Sequence, residues 1–101
     1  LVFDEVDTGI GGRAAEAVGR RLKEISRSQQ VFCVTHLPQI AAFAGHHFRV
    51  WKDVVGERTE TLLRSLGAAD RIQELARMMD GEVVTETSKR HAREMLERSA
   101  K

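Results

Sequence analysis

A chain of 101 residues suffices for one small domain, and burying about two-thirds of the unfolded surface leaves a modest core. Its composition, 42% hydrophobic and 31% charged, excludes a disordered or membrane-spanning chain and describes a globular one. With 16 basic against 15 acidic side chains the net charge is +1, so no bulk field draws it to nucleic acid or an anionic membrane.

The chain opens on Leu1-Val2-Phe3 without an initiator methionine, which reads as the middle of a buried strand and implies a fragment. Residues 1–4 form that strand, and Gly9, Gly11 and Gly12 make the loop after it. From Arg13 to Ser28, Ala15, Val18, Leu22 and Ile25 recur every three or four residues, which predicts an amphipathic helix with Arg20, Arg21, Lys23, Glu24 and Arg27 around it. Gln30 to Thr35 is apolar and β-branched, a second strand expected to be buried, with Cys33 an inert buried thiol in it. Strand, helix and strand in this order form a crossover joining parallel strands, and continuous apolar runs are expected where both sheet faces are covered. The predicted class is therefore α/β.

Pro38 suits the first turn of a short helix over Leu37 to Ala44, which Gly45 ends. His46 to Asp53 and Arg58 to Leu66 read as a β-hairpin joined across residues 54–57. A helix from Ala69 to Met79 carries Ile72, Leu75, Ala76 and Met79 on one side, with Gly81 as its cap. A polar last helix, Glu86 to Ser99, shows only Ala92, Met95 and Leu96 as a stripe. No apolar run approaches the roughly 18 residues of a membrane span, and no signal peptide is visible, so a reducing cytoplasm is expected.

The chemistry concentrates at two strand ends. Asp4-Glu5 lifts two carboxylates to the carboxyl edge of a sheet, where α/β proteins bind ligands. In a P-loop ATPase such a strand end is the Walker B element: the first acid holds Mg²⁺, usually through water, and the second polarises the attacking water. Taken alone, the pair equally fits a strand ending in surface acids. His36 follows the next strand, so the topology brings it to the same edge, where an imidazole can donate to a γ-phosphate oxygen. Between them, Asp7-Thr8-Gly9-Ile10-Gly11-Gly12-Arg13 matches neither of the common phosphate-binding glycine patterns and reads better as a contact loop.

Asp4-Glu5-Val6-Asp7, a small-residue loop and Thr35-His36 one βα unit later are together similar to the ABC-type ATPases. Within them, the runs from Leu1 to Ala14 and from Val34 to Ala42 resemble the RecN family of SMC-like DNA-repair ATPases. So do Arg71-Ile72-Gln73-Glu74-Leu75-Ala76-Arg77-Met78-Met79 and Ala92-Arg93-Glu94-Met95-Leu96. The resemblance covers essentially the whole chain. It implies the C-terminal lobe of a P-loop ATPase head that binds ATP and Mg²⁺ and sandwiches two nucleotides against a second head. Asp4 carries over as the metal-site acid, Glu5 as the catalytic acid and His36 as the switch histidine. Thr8, Gly9, Ile10 and Gly11 carry over as the D-loop across the dimer interface, although the aspartate that commonly closes that loop is Gly11 here. The resemblance further implies an N-terminal lobe and coiled coil of the same protein, which carry the Walker A and signature elements missing from this chain. DNA is then engaged through the full-length protein, in the cytoplasm at the nucleoid, with no membrane involved. This chain alone should not hydrolyse ATP.

Two other classes fit parts of the pattern. Asp4-Glu5-Val6-Asp7 also matches a helicase Asp-Glu-x-Asp box, but a Ser-Ala-Thr-like strand end is usual there, and Val34-Thr35-His36 stands in its place; a transporter subunit would continue with Pro-Thr-Ser after the acids. A non-catalytic dimerisation or DNA-contact module would use Arg20, Arg21, Lys23 and Arg27, or Lys89, Arg90, Arg93 and Arg98, although interspersed glutamates favour solvated helix faces. His46 and His47 read as ordinary strand residues and His91 as a surface residue of the last helix. No histidine or cysteine pair has zinc spacing.

Overall fold

The computed structural model describes residues 1–4, 11–81 and 83–100. Its elements are β1 (Val2–Asp4), α1 (Gly12–Ser26), β2 (Phe32–Val34), α2 (Pro38–Ala41), β3 (Phe48–Val55), β4 (Arg58–Ser65), α3 (Ala68–Asp80) and α4 (Glu86–Ser99). This is an α/β fold holding a parallel pair, an antiparallel hairpin and two C-terminal helices. No helix among the described residues is long and apolar enough to cross a membrane.

β1 and β2 pair in parallel, with Val2 opposite Phe32, Phe3 opposite Cys33 and Asp4 opposite Val34. The Phe32 N–H donates to the Leu1 carbonyl at 2.8 Å, which fixes the start of this register. The expectation of strands buried on both faces is corrected: Val2, Phe32 and Val34 are 73%, 54% and 59% exposed, whereas Phe3 and Cys33 are half-buried. Side chains alternate across a strand, and in this chain only one face of the two-stranded sheet is shielded. Cys33 is accordingly half-buried rather than buried.

α1 buries Ala15 and Gly19, with Val18, Leu22 and Ile25 half-buried beside them. Gly19 is where α1 meets the segment after α2. A Cβ there would lie 2.4 Å from Phe43 Cδ2 and 3.2 Å from the Gln39 carbonyl oxygen, so only glycine permits this approach. α2 is shorter than expected, a single turn. Pro38 occupies its first position, and the Leu37 N–H before it donates to Thr35 Oγ1 at 3.0 Å.

The hairpin is tighter than expected. Val55 pairs with Arg58, leaving only Gly56 and Glu57 as the loop, because Gly56 takes the positive φ of 65° that a two-residue turn demands. His46 and His47 precede β3 instead of belonging to it. Trp51 and Leu62, directly paired, are half-buried on one face; Phe48, Val50, Val54 and Leu63 stand exposed on the other.

The core lies where α2 meets α3 and α4. Ala41, Ala42, Leu75, Ala76, Ala92 and Met95 form it, with Ile72, Met78, Met79, Val84 and Leu96 packed around. The stripes read from both helices thus point inward. Gly81, at φ 80°, ends α3. Thr85 caps α4 through a box in which its hydroxyl accepts the Ser88 N–H at 3.1 Å and Ser88 Oγ accepts the Thr85 N–H at 3.0 Å.

Candidate functional site

The parallel register brings the two strand ends level. Asp4 is paired with Val34, and Thr35 and His36 follow directly, so the acid and the imidazole leave the same edge of the pair. Both Asp4 and His36 are exposed. Glu5, Thr8, Gly9 and Ile10 lie outside the described residues. Gly11 sits in extended conformation at the N-cap of α1, where its carbonyl accepts the Ala15 N–H at 2.8 Å.

His36 opens onto a cleft of about 700 Å³ between the start of α1 and the α3–α4 end of the molecule. Arg13, Gln39, His91 and Arg98 line it together with the acids Glu16 and Asp80, and Leu37, Met78, Met79 and Met95 add apolar surface, so its walls are mixed in charge and in polarity. Asp4 is not among its lining residues. His91 is exposed on α4, as expected.

Among the described residues no group of three or more His, Cys, Asp or Glu lies together as a metal cage. A single carboxylate such as Asp4 is a donor set that fits Mg²⁺, which keeps several waters and takes its other ligands from phosphate oxygens. It does not fit zinc, which needs three or four protein ligands.

Four of the eight candidate basic side chains are engaged within the molecule. Arg20 meets Glu16 at 3.6 Å, Arg21 meets Glu24 at 3.0 Å and Lys89 meets Glu86 at 3.4 Å, while Lys23 donates to the Ser99 carbonyl. Exposed ion pairs of this kind contribute little to stability.

The polar positions of Arg71-Ile72-Gln73-Glu74-Leu75-Ala76-Arg77 hold a second constellation, which periodicity alone had reduced to a helix stripe. Arg71 Nη2 donates to the carbonyls of Ala41 at 3.2 Å and Ala42 at 3.1 Å, and also to that of Ala44. Glu74, almost fully buried, accepts from Arg77 Nε at 2.9 Å and from Arg77 Nη2, and lies 3.8 Å from Arg49 Nε of the hairpin. Burial pushes the Glu74 carboxyl up, but the hydrogen bond and charge of Arg77, then Arg49 and His47, outweigh it and hold the group below its ordinary value. Burial, followed by the charge of Arg71, lowers the imidazole of His47, with Glu74 opposing. Burial also lowers the Arg71 guanidinium, and the bond to Glu74 raises that of Arg77. The sequence signal for this network was Arg, Glu and Arg at three-residue intervals, which put all three on one side of α3.

No protein-family model matches the chain. Individual proteins do. It is 41% identical over 99 residues to the DNA repair protein RecN of Bacillus subtilis strain 168, covering 98% of this chain and 17% of that protein. The DNA repair protein RecN of Haemophilus influenzae is 46% identical over 97 residues, 96% of this chain and 17% of that protein. That of Streptomyces coelicolor is 48% identical over 96 residues, 95% of this chain and 17% of the relative. The chain thus spans about a sixth of the length of the relatives it matches. Identity of this order, sustained over nearly every residue and across distant bacteria, is homology: the chain belongs to the RecN family and corresponds to one segment of its longer members.

Proposed function

We propose that the chain is the C-terminal lobe of an ABC/SMC-type ATPase head in a RecN-like protein that repairs DNA double-strand breaks. One observation carries the reading: the parallel register sets Asp4 level with Val34, two residues before His36. In this reading Asp4 is the metal-site acid, Glu5 the catalytic acid and His36 the switch histidine. Thr8, Gly9, Ile10 and Gly11 form the D-loop that meets a second head. The N-terminal lobe and coiled coil belong to the rest of the same protein. DNA is engaged by the whole assembly, in the cytoplasm at the nucleoid.

The chemistry is phosphoryl transfer to water, in which the protein supplies position and electrostatics more than covalent steps. Asp4 would hold Mg²⁺, which when bound neutralises charge on the β- and γ-phosphates. Glu5 orients the attacking water and takes its proton. His36 donates a hydrogen bond to the γ-phosphate oxygen as negative charge builds there. The exposed apolar side chains Val2, Phe32 and Val34 support the presence of a neighbouring lobe, because a sheet of two strands with one bare apolar face is an incomplete core.

The deciding experiment is Glu5→Gln in the full-length protein. ATP binding should stay largely intact while steady-state turnover falls at least about tenfold, the lower part of the range for positioned acid–base groups. Unchanged turnover would remove Glu5 from the catalytic role and with it the Walker B reading.

A further inference from the structure

We infer that Arg71 is a positioning residue for His36, acting through α2. The inference deepens the proposed role of His36 and rests on it. α2 is one turn long, and a single turn cannot hold itself in water, so its placement must come from outside. Burial of Ile40, Ala41 and Ala42 supplies part of it, and two further contacts fix its C-terminal end. Arg71 reaches from α3 to gather the carbonyls of Ala41, Ala42 and Ala44 on one guanidinium nitrogen. The Ala41 carbonyl also accepts the Ala44 N–H at 3.1 Å, and a cation at this helix end complements the helix dipole. From the other side, Phe43 is seated against Gly19 of α1.

The opposite end of α2 leads straight to His36. Pro38 and Ala41 are separated by only about 5 Å of helix rise, and Leu37, between Pro38 and His36, is tied back by its N–H to Thr35 Oγ1 at 3.0 Å. A pivot at Ala41 to Ala44 therefore acts on the imidazole through one helical turn and the tethered Leu37. The charge of Arg71 is available for this task because Glu74 bonds to Arg77 and faces Arg49. Its Nε is buried and makes no hydrogen bond, so the guanidinium is oriented for the carbonyls at the expense of its own full satisfaction. A misplacement of about 1 Å in a reacting group can cost about a hundredfold in rate, which makes a fixed pivot consequential.

The test is a double-mutant cycle in the full-length protein with Arg71→Gln, His36→Ala and both together, read as turnover at saturating Mg-ATP. Arg71→Gln should lower kcat about tenfold or more and move KM less, and Arg71→Lys should restore part of the loss. The double variant should be no slower than His36→Ala alone. Losses that multiply would make Arg71 a structural residue and overturn the inference. A second arm uses the imidazole C–H resonances of His36 in the full-length protein labelled selectively at histidine. Arg71→Gln should shift them, whereas Arg64→Gln, which breaks an exposed pair with Asp70 on the same helix, should not. If His36→Ala leaves turnover unchanged, the sensor reading fails, and this second arm still decides the positioning: unmoved His36 resonances would sink it. Should Arg71→Gln fail to fold, Arg71→Lys carries both arms, with a smaller loss of kcat and a smaller shift expected.

Discussion

His36 is the residue whose meaning depends most on its neighbours. It stands exposed two residues beyond β2 and borders a cleft of mixed polarity, unlike a core histidine. If it senses the γ-phosphate, His36→Ala in the full-length protein should weaken ATP about two- to tenfold, the range of one neutral hydrogen bond, and weaken ADP less. Turnover should fall further than affinity, because charge accumulates on the transferred group. ATP and ADP affinities measured beside the melting temperature check this; equal loss for both nucleotides would mean that His36 only packs the loop before Pro38. Asp4 and His36 were both legible as candidates, since an acid and an imidazole at successive strand ends need only chain order to be brought together. Arg71 was not legible. Its partners are backbone carbonyls about 30 residues away, and a carbonyl has no sequence signature.

At the scale of elements, helix periods were read closely: α4 runs from Glu86 to Ser99 as expected, and α3 differs by one residue at each end. Strand burial was misread, because an apolar run cannot say whether its second face has a cover within the same chain. The junction of α1 and α2 is the other feature that needed coordinates. Gly19→Ala would set a Cβ 2.4 Å from the Phe43 ring, and overpacking of this kind costs about 1–3 kcal/mol, against a helix-propensity gain of about 0.5–1 kcal/mol. The expected net effect is a melting temperature lower by several degrees. Gly12→Ala is the control: its Cβ would meet only Gln39 Nε2 at 3.6 Å, an ordinary contact, and the melting temperature should hardly change. Thermal denaturation of both variants followed by circular dichroism checks the difference.

Across the whole molecule, the hairpin is joined to α3 by a polar network centred on the buried Glu74, in which His47 and Glu74 act in the same direction. His47 is held below its usual 6.5, so on acidification the unfolded chain takes up a proton before the folded one, and stability is lost as pH falls from 6.5 through the lowered folded value. Glu74, held below 4.5, contributes stability above that value that is lost as pH falls through its folded pKa. Melting temperature should therefore decline in two steps, and His47→Gln should flatten the first, between about pH 7 and 5, while leaving the second. Identical profiles for the two proteins would remove His47 from the network. The isolated chain should bind no Mg-ATP at micromolar concentration, since no glycine-lysine phosphate loop occurs in its sequence and such loops supply most contacts to the β- and γ-phosphates. Calorimetry checks this, and tight binding would show that another part of the chain holds phosphate. The sequence by itself determined the order of elements, the helix faces and the placing of an acid and an imidazole at successive strand ends, because all of these follow from spacing along the chain. Only the tertiary structure decided that Arg71 holds the end of α2, that Gly19 admits Phe43 and that Val2, Phe32 and Val34 lie bare. Each of these depends on which atoms fill the space beside a residue, and that is settled by packing between segments distant in sequence.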